Sequence, residues 1–213
     1  MLLCACNEST DTDSKSGRTT DDTKGSWYKG LPDDERAKGV TPLMWASSFG
    51  DIAKVRTLLI QGADVTARDN DGWTALHYST LGGDGPLSEG LGSSHSEVMK
   101  ALLASGADVN AKTSNGSVAL PMSAAKGQAE WVKILLQNGA DVNVVDAMKR
   151  TAIINACNAG FSDDHAEATV EVLLTAAPDL TPKDGFGMTA LDWAKENKRH
   201  RIVRLLRNAG AKR

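Results

Sequence analysis

No stretch of this 213-residue chain is apolar for long enough to cross a bilayer as a helix, which takes about 20 such residues. Aromatic residues make up only 5% of it, so any core must be built mainly from aliphatic side chains. Cysteine is nearly absent: Cys4, Cys6 and Cys157 are too few for a disulfide framework. None belongs to a Cys-x-x-Cys pair with histidine partners, which argues against structural zinc. A basic surplus is missing too. The formal charge of −3 and pI near 5.8 leave no general footprint for nucleic acid. Also missing are a Gly-x-Ser-x-Gly elbow, a His-Glu-x-x-His pair and a phosphate loop, so the enzyme classes built on them find no support.

What is present repeats. Gly-Ala-Asp-Val occurs at 62–65, 106–109 and 139–142. A worn copy, Ala177-Pro178-Asp179-Leu180, and a terminal stub, Gly210-Ala211, follow. A second block, Gly-x-Thr-Ala/Pro-Leu, leads each copy at 39–43, 72–76, 116–120, 149–153 and 187–191, the later ones degenerate. Gly39 to Gly72 (72 − 39) and Gly116 to Lys149 (149 − 116) are both 33 residues. The other intervals, 116 − 72 = 44 and 187 − 149 = 38, are that period plus insertions of 11 and 5.

The second copy shows how one unit is built. Asp69-Asn70-Asp71-Gly72 is turn chemistry. Thr74 precedes an apolar run and is placed to cap a first helix, with Leu76 and Ser79 on one face. Val98, Met99, Leu102 and Leu103 predict a second helix over about Ser96 to Ser105. Gly106 suits the left-handed residue that ends it. One helix pair cannot bury its own apolar face, so its neighbours complete the core.

Block identity and period together resemble the ankyrin-repeat family over residues 36–213. The resemblance implies an all-α solenoid of about five helix-turn-helix units joined by β-hairpin loops. The units are 36–68, 69–112 with an insertion at 84–94, 113–145, 146–183 with an insertion at 161–165, and a cap at 184–213. It further implies a non-enzymatic module with no metal and no cofactor. Such a module binds another protein through a concave groove of hairpin tips and first helices, and is expected as a monomer. Residues 26–35 are read as a lid, with Trp27, Tyr28 and Leu31 expected to cover the first repeat.

Several residues depart from the pattern. Val118 replaces the capping Thr of the third unit, at a cost of about 0.5–2 kcal/mol. Lys149 stands where the hairpin glycine belongs, and Ala177-Pro178 stands for Gly-Ala. Arg199, Arg201, Arg204 and Arg207 load the last helix. They read as the solvated side of a capping repeat, or else as a site for an anionic partner. Gly185 to Ala190 matches Gly-x-Gly-x-x-Ala, but inside a hairpin block, without a βαβ context, it does not indicate a nucleotide site. His77 and His95 read as structural, and Cys157 as a buried inert thiol.

The expected binding residues are those at variable positions. At the hairpin tips they are Asn70, Asp71, Trp73, Asn115, Met148, Arg150, Phe186 and Met188. At the ends of the first helices they are Phe49, Leu81, Lys126 and Asn158. Trp45, Tyr78 and Trp193 are assigned to the core rather than the groove. The Gly- and Ser-rich insertion from Asp84 to Ser94, with Leu87 and Leu91, is read as a mobile loop at one edge. Phe161 to His165 falls at the same junction two units later. Two long loops on one edge point to partner specificity. Residues 1–25 carry almost nothing apolar after Met1-Leu2-Leu3-Cys4-Ala5-Cys6 and read as a disordered tail. That opening resembles the end of a bacterial lipoprotein signal, with Cys6 lipidated and Cys4 as the alternative. Only a fragment of the usual charged start and apolar stretch is there. The reading places the protein in the envelope or periplasm, with membrane contact only through the lipid. The alternative is a cytoplasmic protein with a disordered N-terminus.

Overall fold

The computed structural model describes residues 33–82 and 92–212, apart from the side chains of residues 33, 36, 92 and 93. The tail, lid aromatics, Cys4 and Cys6 lie outside the described residues, as do Leu87 and Leu91. A short helix, α1 (Asp33–Ala37), precedes five helix pairs. They are α2 (Pro42–Ser48) with α3 (Ile52–Ile60), α4 (Ala75–Ser79) with α5 (Gly92–Ala104), and α6 (Ala119–Ala125) with α7 (Ala129–Gln137). Then come α8 (Ala152–Asn158) with α9 (Asp163–Leu174), and α10 (Ala190–Glu196) with α11 (His200–Asn208).

Each first helix starts at the Thr-x-Leu block. The Thr41 and Thr189 hydroxyls accept from the N–H groups of Met44 and Asp192, both at 3.2 Å. In the second pair His77 Nδ1 lies 2.9 Å from the Thr74 hydroxyl and accepts from the Thr74 N–H at 3.2 Å. Val118 offers no such bond, as its side chain dictates. Pro42 stands in the first turn of α2, where no intrahelical donor is lost.

Between the pairs the chain makes the same hairpin four times. The N–H groups of Asp69, Thr113, Asp146 and Asp184 donate to the carbonyls of Trp73, Ser117, Arg150 and Met188, each at 3.0 Å. The turn requires a positive φ, and glycine supplies it at 72, 116 and 187, as it does at 39 ahead of the first pair. Lys149 adopts the same conformation with φ 59°, and Ala177 matches the helix-ending glycines with φ 49°. Both therefore carry steric strain that glycine avoids.

The core runs along the stack. Leu43, Leu76, Leu120, Ile153 and Leu191 of the first helices are buried, and so are Val55, Met99, Leu135, Leu173 and Leu206 of the second. On α5, Val98 and Leu102 belong to the cluster shared with the first pair, while Met99 belongs to the one running on to the last. Neighbours do complete each unit's core.

Three expectations need correction. The second helix of the second pair begins at Gly92 rather than Ser96, so residues 92–94 of the expected loop are helical. The insertion 161–165 does not stand off as a loop. Residues 163–165 form the first turn of α9, and Phe161 lies against Gly127, where an added Cβ would meet its ring at 2.7 Å. Arg199 is not on a solvated side, being only 6% exposed. Arg201, Arg204 and Arg207 are exposed, as expected of a cap.

Candidate functional site

First helices and hairpins form one face of the stack, and its architecture rests on a repeated carboxylate. Asp69 Oδ1 accepts from the N–H groups of Asp71 and Trp73 at 3.0 and 2.8 Å. Asp146 does the same for Met148 and Arg150 at 2.8 and 3.0 Å. Asp184 does so for Phe186 and Met188, both at 2.9 Å. The other oxygen turns to the first helix nine residues later. It takes the Tyr78 hydroxyl at 2.7 Å, the Asn155 amide at 3.1 Å and the Trp193 indole N–H at 2.8 Å. Burial alone would raise the Asp184 pKa, but the bonds from Met188, Trp193 and Phe186 outweigh it and hold it below the usual value. In the third unit Thr113 replaces the Asp and accepts from Ser117 N–H at 2.9 Å. Met122, nine residues on, has no polar donor to offer.

This network corrects the assignment of Trp45, Tyr78 and Trp193. They are half-buried and flank the core rather than fill it. Two of them tie the helix to its hairpin, and each meets another ring. Trp45 lies 5.0 Å from Phe49, Tyr78 5.7 Å from Trp73, and Trp193 6.4 Å from Phe186, all edge-on. The periodicity reading missed the three carboxylates. Their signal was an Asp three residues before the hairpin glycine with a donor nine residues later.

The candidate residues divide into two groups. Phe49, Leu81, Met148 and Phe186 are large, apolar and exposed. Asp71 is exposed; Trp73, Asn158 and Met188 are half-buried. The other four have their polar groups engaged in the stack. Asn70 donates to the Ala37 carbonyl at 3.0 Å, and Asn115 Oδ1 accepts from the Thr113 and Ser117 hydroxyls. Arg150 pairs with Asp146 at 3.2 Å. Lys126 donates to the carbonyls of Leu81 and Gly82 at 2.7 and 3.2 Å, and burial lowers its pKa. Ile60 and Val145 are further exposed apolar residues that the sequence reading had not singled out.

Adjacent units are also clamped at the far ends of the first helices. Alongside Lys126, His95 Nε2 lies 3.3 Å from the Ser48 carbonyl. Arg199 donates to the carbonyls of Ala156, Ala159 and Phe161 and pairs with Asp163. Cationic groups at helix C-termini also complement the helix dipole. His77 is fully buried, and burial lowers its pKa. Its Nε2 faces the Ser117 and Ala111 backbone, which opposes that shift, without a hydrogen bond of regular geometry. Cys157 is buried, with its thiol pushed up to about 12 by burial, against a smaller opposing effect of Arg199. Among the described residues no group of three or more His, Cys, Asp or Glu side chains is placed to hold a metal. Gly185 to Ala190 forms the last hairpin and the start of α10, with no strand before it.

Residues 28–113, 82–146 and 120–212 match the family model of ankyrin repeats in three copies. The chain belongs to the ankyrin-repeat family. Its relatives include a putative palmitoyltransferase ZDHHC13 of Danio rerio, 29% identical over 78% of this chain and 24% of that protein. The mitochondrial disaggregase of Bos taurus is 30% identical over 80% of this chain and 23% of its own length. Ankyrin repeat and SOCS box protein 16 of Mus musculus is 30% identical over 66% and 30%. The chain thus spans a quarter to a third of these proteins, and the activities in their names belong to them as wholes. An ankyrin-repeat array is a protein–protein interaction module, typically a non-enzymatic scaffold.

Proposed function

We propose that this ankyrin-repeat array binds its partner protein through the concave face of hairpins and first helices. The observation that carries the reading is the aromatic lining of that face. Trp45, Tyr78 and Trp193 hold the same position in the first, second and fifth units, and each meets a second ring on that face, Phe49, Trp73 and Phe186 respectively. Aromatic residues, Met and Arg are the types enriched in interface cores. Phe49, Leu81, Met148 and Phe186 remain exposed, although burying them would be favourable.

The test is titration calorimetry against a partner captured from the native cell, beside thermal melts. Trp73→Ala and Arg150→Ala are expected to weaken binding by about 2 kcal/mol if they are hot spots. Trp73→Ala also lowers stability, since the ring packs on His77 and Tyr78. Normal binding in both variants, with loss on changes at back-face Lys133 or Glu171, refutes the assignment.

We further propose a lipid tether at Cys6, on the strength of Leu2-Leu3-Cys4-Ala5-Cys6 ahead of a polar linker. In that setting the module holds or neutralises an envelope protein, as an immunity protein or a stabilising partner does. A secreted host-directed effector is the alternative and needs no lipid. Fractionation of native protein and Cys6→Ser decides: two soluble, unmodified forms remove the tether.

A further inference from the structure

The hairpin tips of the fourth and fifth units carry features that the stack does not require. Met148 and Phe186 hold the same position in successive hairpins and are 41% and 67% exposed. The Gly185 N–H donates to the Met148 carbonyl at 2.9 Å, so the two tips are adjacent. Phe186 stands edge-on to Trp193, which carries the apolar strip from the tip onto the groove face. At the same position the earlier units have Lys38, Asp71 and Asn115.

The charge around this strip is one-sided. Lys149, Lys183 and Lys195 are exposed, and their ammonium groups make no hydrogen bond or ion pair among the described residues. The nearby acids are already occupied. Asp146 and Asp184 staple their own hairpins. Asp192 takes the Thr189 hydroxyl at 2.7 Å, while Lys195 and Lys183 sit close enough to help hold its pKa down. Glu196, at the end of α10, is an exposed acid near these tips. Lys149 also sits at φ 59°, where the other hairpins use glycine. Strain of that kind is characteristic of binding and switch sites.

We propose that these two tips seat an acidic segment of the partner, with one apolar or aromatic side chain between Met148 and Phe186 and carboxylates facing Lys149, Lys183 and Lys195. This rests on the protein-binding reading above and names the partner's chemistry. The apolar contact supplies most of the affinity. The lysines steer association and set selectivity, since exposed ion pairs add little binding energy each.

The test pans a random dodecapeptide phage library over the full chain. The recovered peptides are then synthesised and their binding measured by fluorescence anisotropy at low and high salt. They are expected to be net acidic with a Leu, Phe or Trp. Their binding should weaken about tenfold or more in Phe186→Ala and in the Lys149→Glu, Lys183→Glu double variant. It should weaken with added salt and hold in the back-face variant Lys133→Ala. Melting curves establish that each variant is folded. Basic or uncharged peptides, or acidic ones indifferent to both variants, overturn the proposal. Peptides that respond to Trp73→Ala instead leave groove binding intact and remove this site. A library that yields no binder removes both. Polyuridylate competing at similar affinity reassigns the lysines to nucleic acid and likewise overturns the proposal.

Discussion

Lys149 and Ala177 hold left-handed backbone at positions where sibling repeats use glycine. For a residue with a Cβ this costs roughly 1–2 kcal/mol. Glycine returns part of the gain through the greater entropy of the unfolded chain, about 0.5–1 kcal/mol. Lys149→Gly and Ala177→Gly should therefore each stabilise the fold by about 0.5–1 kcal/mol, measured as a raised midpoint in urea. An unchanged or lowered midpoint would show that neither turn is strained. His77 predicts a pH effect. Burial lowers its pKa, so the folded state favours the neutral ring. Stability from this group is present above the unfolded pKa of about 6.5 and is lost as pH falls through the folded value. The melting temperature should fall from about pH 7 to about pH 5, and less steeply in His77→Gln. Equal slopes would rule His77 out as the group responsible. The strained positions and the structural role of His77 were legible, because each is a departure from, or a member of, a repeated block. The staples from Asp69, Asp146 and Asp184 were not. A polar pair nine residues apart leaves no trace in hydrophobic periodicity, and the pairing shows only when units are compared and Thr113 is seen to coincide with Met122.

At the scale of elements, the helix pairs and their order could be read from the two blocks, but edges and insertions could not. The apolar spacing of Val98, Met99, Leu102 and Leu103 puts the start of α5 near Ser96, and the structure also winds Gly92, Ser93 and Ser94 into the helix. Arg199 was misplaced because a charged residue on a terminal helix reads as solvated. Its position is in fact the N-cap of α11, and its guanidinium closes the end of α8. Nη1 reaches the Ala156 carbonyl at 3.0 Å, Nη2 reaches Phe161 at 3.0 Å, and the group lies 5.6 Å from the Phe161 ring. The five-residue insertion supplies that ring and Asp163, so it is a joint between units rather than a free loop. Arg199→Ala leaves these carbonyls without their donor. Bonds to a charged group contribute about 1.5–3 kcal/mol, and the whole loss should be about 2–4 kcal/mol. Arg204→Ala, at an exposed position of the same helix, should change stability by less than about 0.5 kcal/mol. Urea melts of the two variants compare them directly. Equal effects would mean that Arg199 is as solvated as its neighbours on α11.

Across the whole molecule, stability in a repeat stack is a sum of unit terms and nearest-neighbour seams, and these seams differ. The first helices α2 and α4, α6 and α8, and α8 and α10 pack directly along their length, whereas α4 stays farther from α6. At five residues α4 is also shorter than the other first helices, which have seven. Leu76 and Met99 share one buried apolar cluster with Leu120, Ile134 and Leu135 across this seam, and polar bonds run beside it. The Ser114 N–H donates to the Asp71 carbonyl at 2.9 Å, Arg68 Nη1 donates to the Lys112 carbonyl at 2.6 Å, and Lys126 reaches the end of α4. The seam between the third and fourth units adds direct packing of its first helices. There α6 and α8 are close, and the buried Asn155 amide donates to the Pro121 carbonyl at 3.3 Å. A seam without direct packing of its first helices exposes less apolar surface on opening and costs less free energy. Amides of α2 and α4 should therefore exchange through a partial opening of lower free energy than those of α7 and α9. Removing the Lys126 link should widen that difference. Native-state hydrogen exchange in increasing urea, on wild type and Lys126→Met, measures both. If all four helices exchange only by global unfolding in both proteins, the stack opens as one unit and the seam between α4 and α6 is no weaker than the rest.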